Sequence, residues 1–151
     1  MKTKKVINQT GKSISASGKT LKKTLKKPKI STLRNKCDKL YQTLGRLMYK
    51  ECFCGKPLSC LHHYYLKSTS SALRYEIKNG VPICVGDHLR HHAANDPDII
   101  FHMKLFMEQQ WGENWETELR QQRIANQYVK TDASWYLANI EILNNMIKQY
   151  E

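Results

Sequence analysis

The chain has 151 residues and a net charge of +12, a length that supports roughly one modest core. No apolar run approaches the roughly 20 residues needed to span a bilayer, and no secretory apolar segment is present, which excludes those classes and predicts a soluble, cytosolic protein. The charge is uneven: residues 1–36 hold 12 of the 25 Lys and Arg and none of the 13 acids, leaving 13 of each sign in residues 37–151. A near-neutral body with a polycationic arm points to a polyanionic partner.

That arm, residues 1–32, is rich in Lys, Ser and Thr and poor in large apolar side chains, which predicts a segment without fixed structure when free. Its lysines, with Lys22, Lys23, Lys26 and Lys27 the densest group, suit salt-dependent binding along a DNA backbone. A solubilising tail and a transit peptide are the competing readings; lysine in place of arginine argues against the second. Leu40, Tyr41, Leu44, Leu47 and Met48 then recur at three- and four-residue spacing and predict an amphipathic helix over 33–50. Of the five cysteines, Cys52, Cys54 and Cys60 precede the histidines, Cys84 falls among them and Cys37 stands apart. In a chain without a signal peptide this clustering favours metal binding over disulfides.

Residues 51–95 carry the chemistry. Residues 61–66 read as a strand, 68–71 as a Ser/Thr loop, 80–84 as a second strand with Pro82 marking an edge, and 85–94 as a helix. Five of the six histidines lie between 62 and 92. His88 and His92, at i and i+4, stack on one helix face and can grip one cation. His62 and His63 are adjacent on a strand and should point to opposite faces, so they should serve different roles. His91 is expected to face away from a metal, toward solvent or a phosphate. Asp87 fits the first turn of the helix as a cap, and Asn79 by itself reads as part of an Asn-Gly turn.

The remainder, 96–151, reads as helical. Asn95-Asp96-Pro97 ends one helix and begins another, whose apolar face is Ile99, Ile100, Met103, Phe106 and Met107. His102 in this stretch reads as a solvated or packing residue. Gly112 breaks the helix, and a further one is predicted over 113–126 with Trp115 and Leu119 inward. Tyr136, Ile140, Leu143, Ile147 and Tyr150 follow a 4-3-4-3 spacing, a seam that could pack on the domain or form a homodimer.

The outline His62-His63, Asn79, Cys84-x3-His88-x3-His92 resembles the HNH nucleases, whose fold is a ββα metal finger. From Cys54 to about Trp115 the chain is similar to phage recombination nucleases of the NinG/Rap type, through Cys-Gly-Lys-Pro, the His pair, the run from Ser70 to Cys84 and the Arg-His-His after His88. The resemblance implies an α+β fold in which a small metal finger sits among helices. It implies His62, His88 and His92 as ligands of a catalytic divalent ion, Mg2+ or Mn2+, His63 as general base, and Asn79 as the residue steadying the base's loop or approaching the metal. Relatives also hold a structural zinc on two Cys-x2-Cys knuckles. Here Glu51 stands where the first knuckle has cysteine, with Cys52 one place late, and Asp87 replaces the last cysteine, so a retained Zn2+ would use Cys52, Cys54, Cys84 and Asp87, with Cys60 in reserve.

The implied activity is metal-dependent endonucleolytic hydrolysis of DNA, with branched recombination intermediates as substrate, in the cytosol of a bacterial host. Arg74, Lys78, Arg90 and His91 are candidate phosphate contacts near the site. Cutting a four-way junction symmetrically needs two active sites related by a two-fold axis, a use for a homodimer through the C-terminal helix. Two alternatives stay open: a non-catalytic zinc-finger DNA-binding or adaptor protein, and an HNH nuclease acting on linear or single-stranded DNA.

Overall fold

A computed structural model describes residues 27–151; the arm lysines Lys22, Lys23 and Lys26 lie outside the described residues, and Lys27 is exposed at their start. The described residues form a mixed α+β structure of five helices and one two-stranded antiparallel sheet: α1 (Ile30–Met48), β1 (Cys60–His63), β2 (Gly80–Ile83), α2 (Val85–Ala94), α3 (Pro97–Trp111), α4 (Trp115–Ala125) and α5 (Ala133–Ile147). No helix among them is long and apolar enough to cross a membrane.

Leu33, Cys37, Tyr41 and Leu44 make the buried stripe of α1, which begins three residues earlier than the apolar spacing predicts. Its partner is α5, whose Tyr136, Ile140 and Leu143 are buried against that stripe. Of the seam read from the sequence, Tyr136, Ile140 and Leu143 are thus buried inside the domain, Ile147 is partly buried and Tyr150 is exposed. Self-association through α5 would have to use its other side, where Leu137 and Ile142 are exposed. The helix starts are capped as their residues require: Asp132 accepts from the Trp135 N–H at 3.1 Å, and Asp96, with Pro97 following, accepts from the Asp98 N–H at 3.0 Å. The helix of 97–111 stops at Gly112, whose φ of 96° an L side chain rarely adopts.

The hairpin separates two packing regions. Register pairs His62 with Val81 and His63 with Gly80, so Leu61, His63, Gly80 and Pro82 share one face and Cys60, His62, Val81 and Ile83 the other. The first face meets α1: Leu61 joins the α1–α5 core, and the His63 ring stacks on Tyr41 with centroids 5.1 Å apart. A Cβ at Gly80 would lie 2.5 Å from both Leu61 Cδ2 and Tyr41 Oη, so glycine is what lets α1 approach so closely. On the second face Val81 packs with Ile99, Met103, Met107, Trp115 and Leu119 of α3 and α4.

Both strands are edges, and their outward backbone groups are satisfied individually. Leu61 and Pro82 face one another, and Pro82 has no N–H to give. Its carbonyl accepts from the Phe53 N–H at 3.2 Å, while the Leu61 N–H and C=O both bond the Gln42 side chain at 2.9 Å. Gln42 thus stands in for a third strand. β1 is shorter than the predicted 61–66 because its partner changes: the Tyr64 N–H still reaches the Asn79 carbonyl, but the Tyr65 N–H bonds the Asn79 side chain. The connection then runs through two short 3-10 turns, Ser71–Leu73 and Ile77–Asn79.

Candidate functional site

β1 and α2 bring His62, His88 and His92 together, with one nitrogen from each within 4.8 Å of the others. His88 and His92 share a face of α2, and the His62 ring sits edge-on to both at about 5 Å. His62 is only 7% exposed, and its Nε2 is buried without a hydrogen-bond partner among the described residues. An orphaned nitrogen of this kind costs about 1–3 kcal/mol unless something occupies its lone pair. Burial, together with repulsion from His91, His88, His92 and His63, pushes the His62 pKa down to about 3. Burial and His92 lower His88 in the same direction. Three imidazoles whose nitrogens converge, one of them buried without a partner, are a donor set that fits a metal ion.

His91 departs from its expected position. Its ring lies 4.8 Å from that of His62 rather than facing away, and its Nδ1 is buried and unpartnered among the described residues. The reason is that His62 reaches α2 between its turns, where residues i+3 and i+4 from His88 both border it. Cys60, the reserve ligand for the cysteine group, is instead on the histidine side, its Sγ 3.9 Å from His88 Nδ1. Strand alternation accounts for this, since Cys60 and His62 share a face.

His63 is on the other side of the strand. Its Nε2 lies 2.8 Å from the Arg74 carbonyl oxygen. A carbonyl can only accept, so Nε2 carries the ring proton and Nδ1 is left bare. Burial lowers the His63 pKa, which keeps the ring neutral. The Arg74 carbonyl is itself placed by its side chain, which makes a two-pronged contact with Asp38 on α1 at 3.1 and 2.8 Å. Burial alone would raise the Asp38 carboxyl, but the Arg74 and Tyr75 hydrogen bonds hold it below its usual range. His62, His63, His88 and His92 nevertheless line one cleft of about 450 Å3. Gln42, which bonds the outer edge of β1, lines the same cleft, so residues from both faces of the strand border it there.

Asn79 is fully buried and acts as a clasp. Its Oδ1 accepts from the Tyr65 N–H at 2.7 Å, and its Nδ2 donates to the Tyr65 and Leu73 carbonyls at 3.0 and 3.1 Å. These bonds close the loop between His63 and Arg74, so Asn79 holds the segment that carries the base candidate and uses its polar atoms there. The clasp is backed from α4, where the Trp115 indole donates to the Lys78 carbonyl at 2.7 Å.

The second donor group joins the 51–57 knuckle to the start of α2. Cys52, Cys54, Cys84 and Asp87 each place a ligating atom within 4.8 Å of the rest and could hold a metal ion. Cys54 and Cys84 sulfurs are 3.8 Å apart, and the Cys52 sulfur is 3.4 Å from Asp87 Oδ2. Two thiolates on a tetrahedral ion at ~2.3 Å should be about 3.8 Å apart, and a thiolate and a carboxylate about 3.6 Å. The Cys52 to Cys54 distance, 3.3 Å, is tighter, as a one-residue spacer demands. Gly55, at φ 79°, turns the knuckle back. Burial would raise the Asp87 carboxyl, but hydrogen bonds from Cys54, Cys84 and Cys52 hold it below its usual value. The cap expected from Asp87 is reversed: its own N–H bonds Cys84 Sγ at 3.4 Å, so Cys84 caps α2 and the carboxylate is left for the cluster.

The expected phosphate contacts are differently placed. Arg74 is committed to Asp38 in a partly buried ion pair, and its contribution to the site is its carbonyl, not its charge. Lys78 pairs with Glu118 at 3.4 Å and Arg90 with Asp96 at 2.6 Å, both at the surface, where solvent screens such pairs and leaves the cations open to exchange with a phosphate. Sequence reading missed Asp38 and Gln42 and took Tyr41 only as part of the apolar stripe; an amphipathic helix gives no signal for which polar residue turns inward. Comparison with protein-family models, curated proteins and solved structures finds no match for this chain.

Proposed function

We propose that the chain is a metal-dependent DNA endonuclease of the HNH type, with β1, β2 and α2 as its metal finger. The observation that carries this reading is the two-sided arrangement about β1: three imidazoles converge on one side, and on the other His63 has its tautomer fixed by a carbonyl, all four lining one cleft. His62, His88 and His92 would hold the cation. When bound, it supplies positive charge to the scissile phosphate and the leaving oxygen. Three imidazole donors suit a transition ion better than Mg2+. His63, through Nδ1, takes the proton from the attacking water. Arg74 holds that ring by its carbonyl, Tyr41 covers one of its faces, and Asn79 keeps the connecting loop closed. Branched DNA as the preferred substrate is supported by the resemblance to phage recombination nucleases.

The test is cleavage of a four-way junction and a matched linear duplex by the full chain with Mn2+, Mg2+ or EDTA. Cutting is expected with Mn2+ and to stop in EDTA. Equal cutting of both substrates would remove the junction preference, and absence of cutting by folded protein in every metal would remove the nuclease.

We further propose Zn2+ at the cysteine group, where it would tie the knuckle to α2. At about 100 times its Kd, a bound ion stabilises by about 2.7 kcal/mol. Stripping zinc with a strong chelator is therefore expected to lower the melting temperature by about 5–10 °C, read by circular dichroism. Readdition of zinc should restore it in wild-type protein and not in Cys84→Ser.

A further inference from the structure

We propose that a second cleft, between the Ser/Thr loop and the end of α4, binds a backbone phosphate flanking the one that is cut. The identity of the ligand as DNA rests on the nuclease reading; the anion site rests on the cleft itself. Its volume is about 390 Å3, with Ser68, Thr69, Ser70 and Ser71 on one side, Arg120 and Arg123 on the other, and no carboxylate in its lining.

Arg120 and Arg123 are one turn apart on α4, so both guanidinium groups can serve one space. Neither has a salt-bridge partner among the described residues, and residues 1–26 contain no acid. The acids of α4 are engaged elsewhere. Glu116, which stands i−4 from Arg120, accepts from Tyr64 Oη with one oxygen and pairs with Lys104 through the other, both at 2.7 Å, and Glu118 pairs with Lys78. Arg123 is half-buried, its guanidinium carbon 5.1 Å from the Tyr65 ring centre, a stacking that orients the fork without using its N–H groups. Opposite, Ser70 is only 4% exposed and its hydroxyl has no hydrogen-bond partner among the described residues. Two guanidinium groups without a salt-bridge partner, the Ser68 and Ser71 side chains and the orphaned Ser70 hydroxyl, without a carboxylate, are the donor composition of a phosphate site; the Thr69 hydroxyl is already spent on the Leu66 carbonyl at 3.1 Å.

Its place in the fold connects it to the histidines. Ser68 lines both this cleft and the one holding His62, His63, His88 and His92. The loop that forms one wall here thus borders the candidate catalytic cleft, and one extended strand can lie across both. Tyr65, under Arg123, is the residue that Asn79 clasps, so the anion site and the base loop share a support.

The experiment is binding of a labelled DNA duplex to the full chain in EDTA, by fluorescence anisotropy across a salt series, for wild type, Arg120→Gln/Arg123→Gln and Arg120→Lys/Arg123→Lys. The Gln pair is expected to weaken binding about tenfold and to reduce the slope of log affinity against log salt by about 2, with the Lys pair close to wild type. Unchanged affinity and slope in a Gln pair that melts like wild type would overturn the proposal, as would a wild-type chain that binds no DNA. If the Gln pair is misfolded, an unchanged slope for Arg123→Gln alone, expected to fall by about 1, overturns it. Inorganic phosphate, added as competitor, separates the two sources of the anion: displacement of DNA only at millimolar phosphate supports the backbone, whereas tight phosphate binding lost in the Gln pair, with DNA binding untouched, would reassign the site to free phosphate. Because binding is read without metal, the result stands apart from cleavage: a chain that cuts with an unaltered Gln pair keeps the nuclease and loses the subsite, and the converse keeps only the subsite.

Discussion

Replacing His63 by alanine is expected to slow metal-dependent cleavage by about 10^2- to 10^4-fold, the range for loss of a positioned general base, while leaving the metal in place. The asymmetry follows from the strand. His63 faces α1, where its contacts are the Arg74 carbonyl and the Tyr41 ring, and it is not among the three residues whose nitrogens converge. Single-turnover cleavage of a DNA substrate and a calorimetric titration with Mn2+ should be run on the same preparation. The expected pair of results is a lost rate with a retained affinity. His88→Ala should reverse it, losing affinity first. An unchanged rate in His63→Ala would remove this residue from the chemistry, and a lost affinity would mean that His63 supports the metal after all.

Asn79→Ala is expected to cost about 3–5 kcal/mol, a large part of the 5–15 kcal/mol by which an ordinary domain is stable. The side chain is fully buried and serves three backbone groups, so truncation strands one N–H and two carbonyls in the interior, each at about 1–3 kcal/mol before relaxation. Urea unfolding measures the loss. Asn79→Asp tests the mechanism, because it keeps the acceptor for Tyr65 N–H but turns the donor into an oxygen facing two carbonyls. It should be no better than alanine. A loss below about 1 kcal/mol in both would show that water takes over these groups and that the clasp is not needed to close the loop.

The parts of the site that could be read from the chain are those fixed by local periodicity. His88 and His92 share a face because a helix repeats, and His62 and His63 part company because a strand alternates; both patterns survive folding unchanged. Asn79 shows the limit. Its Asn-Gly context reads as an ordinary turn, the loop-steadying role came from the resemblance alone, and the fold supplies the partners, a side chain turned inward to replace a missing ladder. Gln42 and Asp38 left no trace at all, since each looks like any polar residue of an amphipathic helix until β1 is laid beside it. The seam of α5 was legible as a seam but not in its partner, because apolar spacing specifies a buried face without naming what buries it. Arg120 and Arg123 were hidden for a similar reason: exposed helix charges are the commonplace background, and what distinguishes these two is that the acids around them are already taken.

Asp38, Tyr41 and Gln42 occupy little more than one turn of α1, and each touches a different part of the base's surroundings: the Arg74 side chain, the His63 ring and the backbone of β1. The same helix rests on α5 along its other contacts, more than 90 residues away in the chain. None of the seven candidate metal-ligating residues belongs to either helix. On the nuclease reading, a substitution on α1 that spares the α1–α5 core, such as Asp38→Asn, would therefore be expected to leave metal affinity unchanged and show its effect only in a cleavage assay.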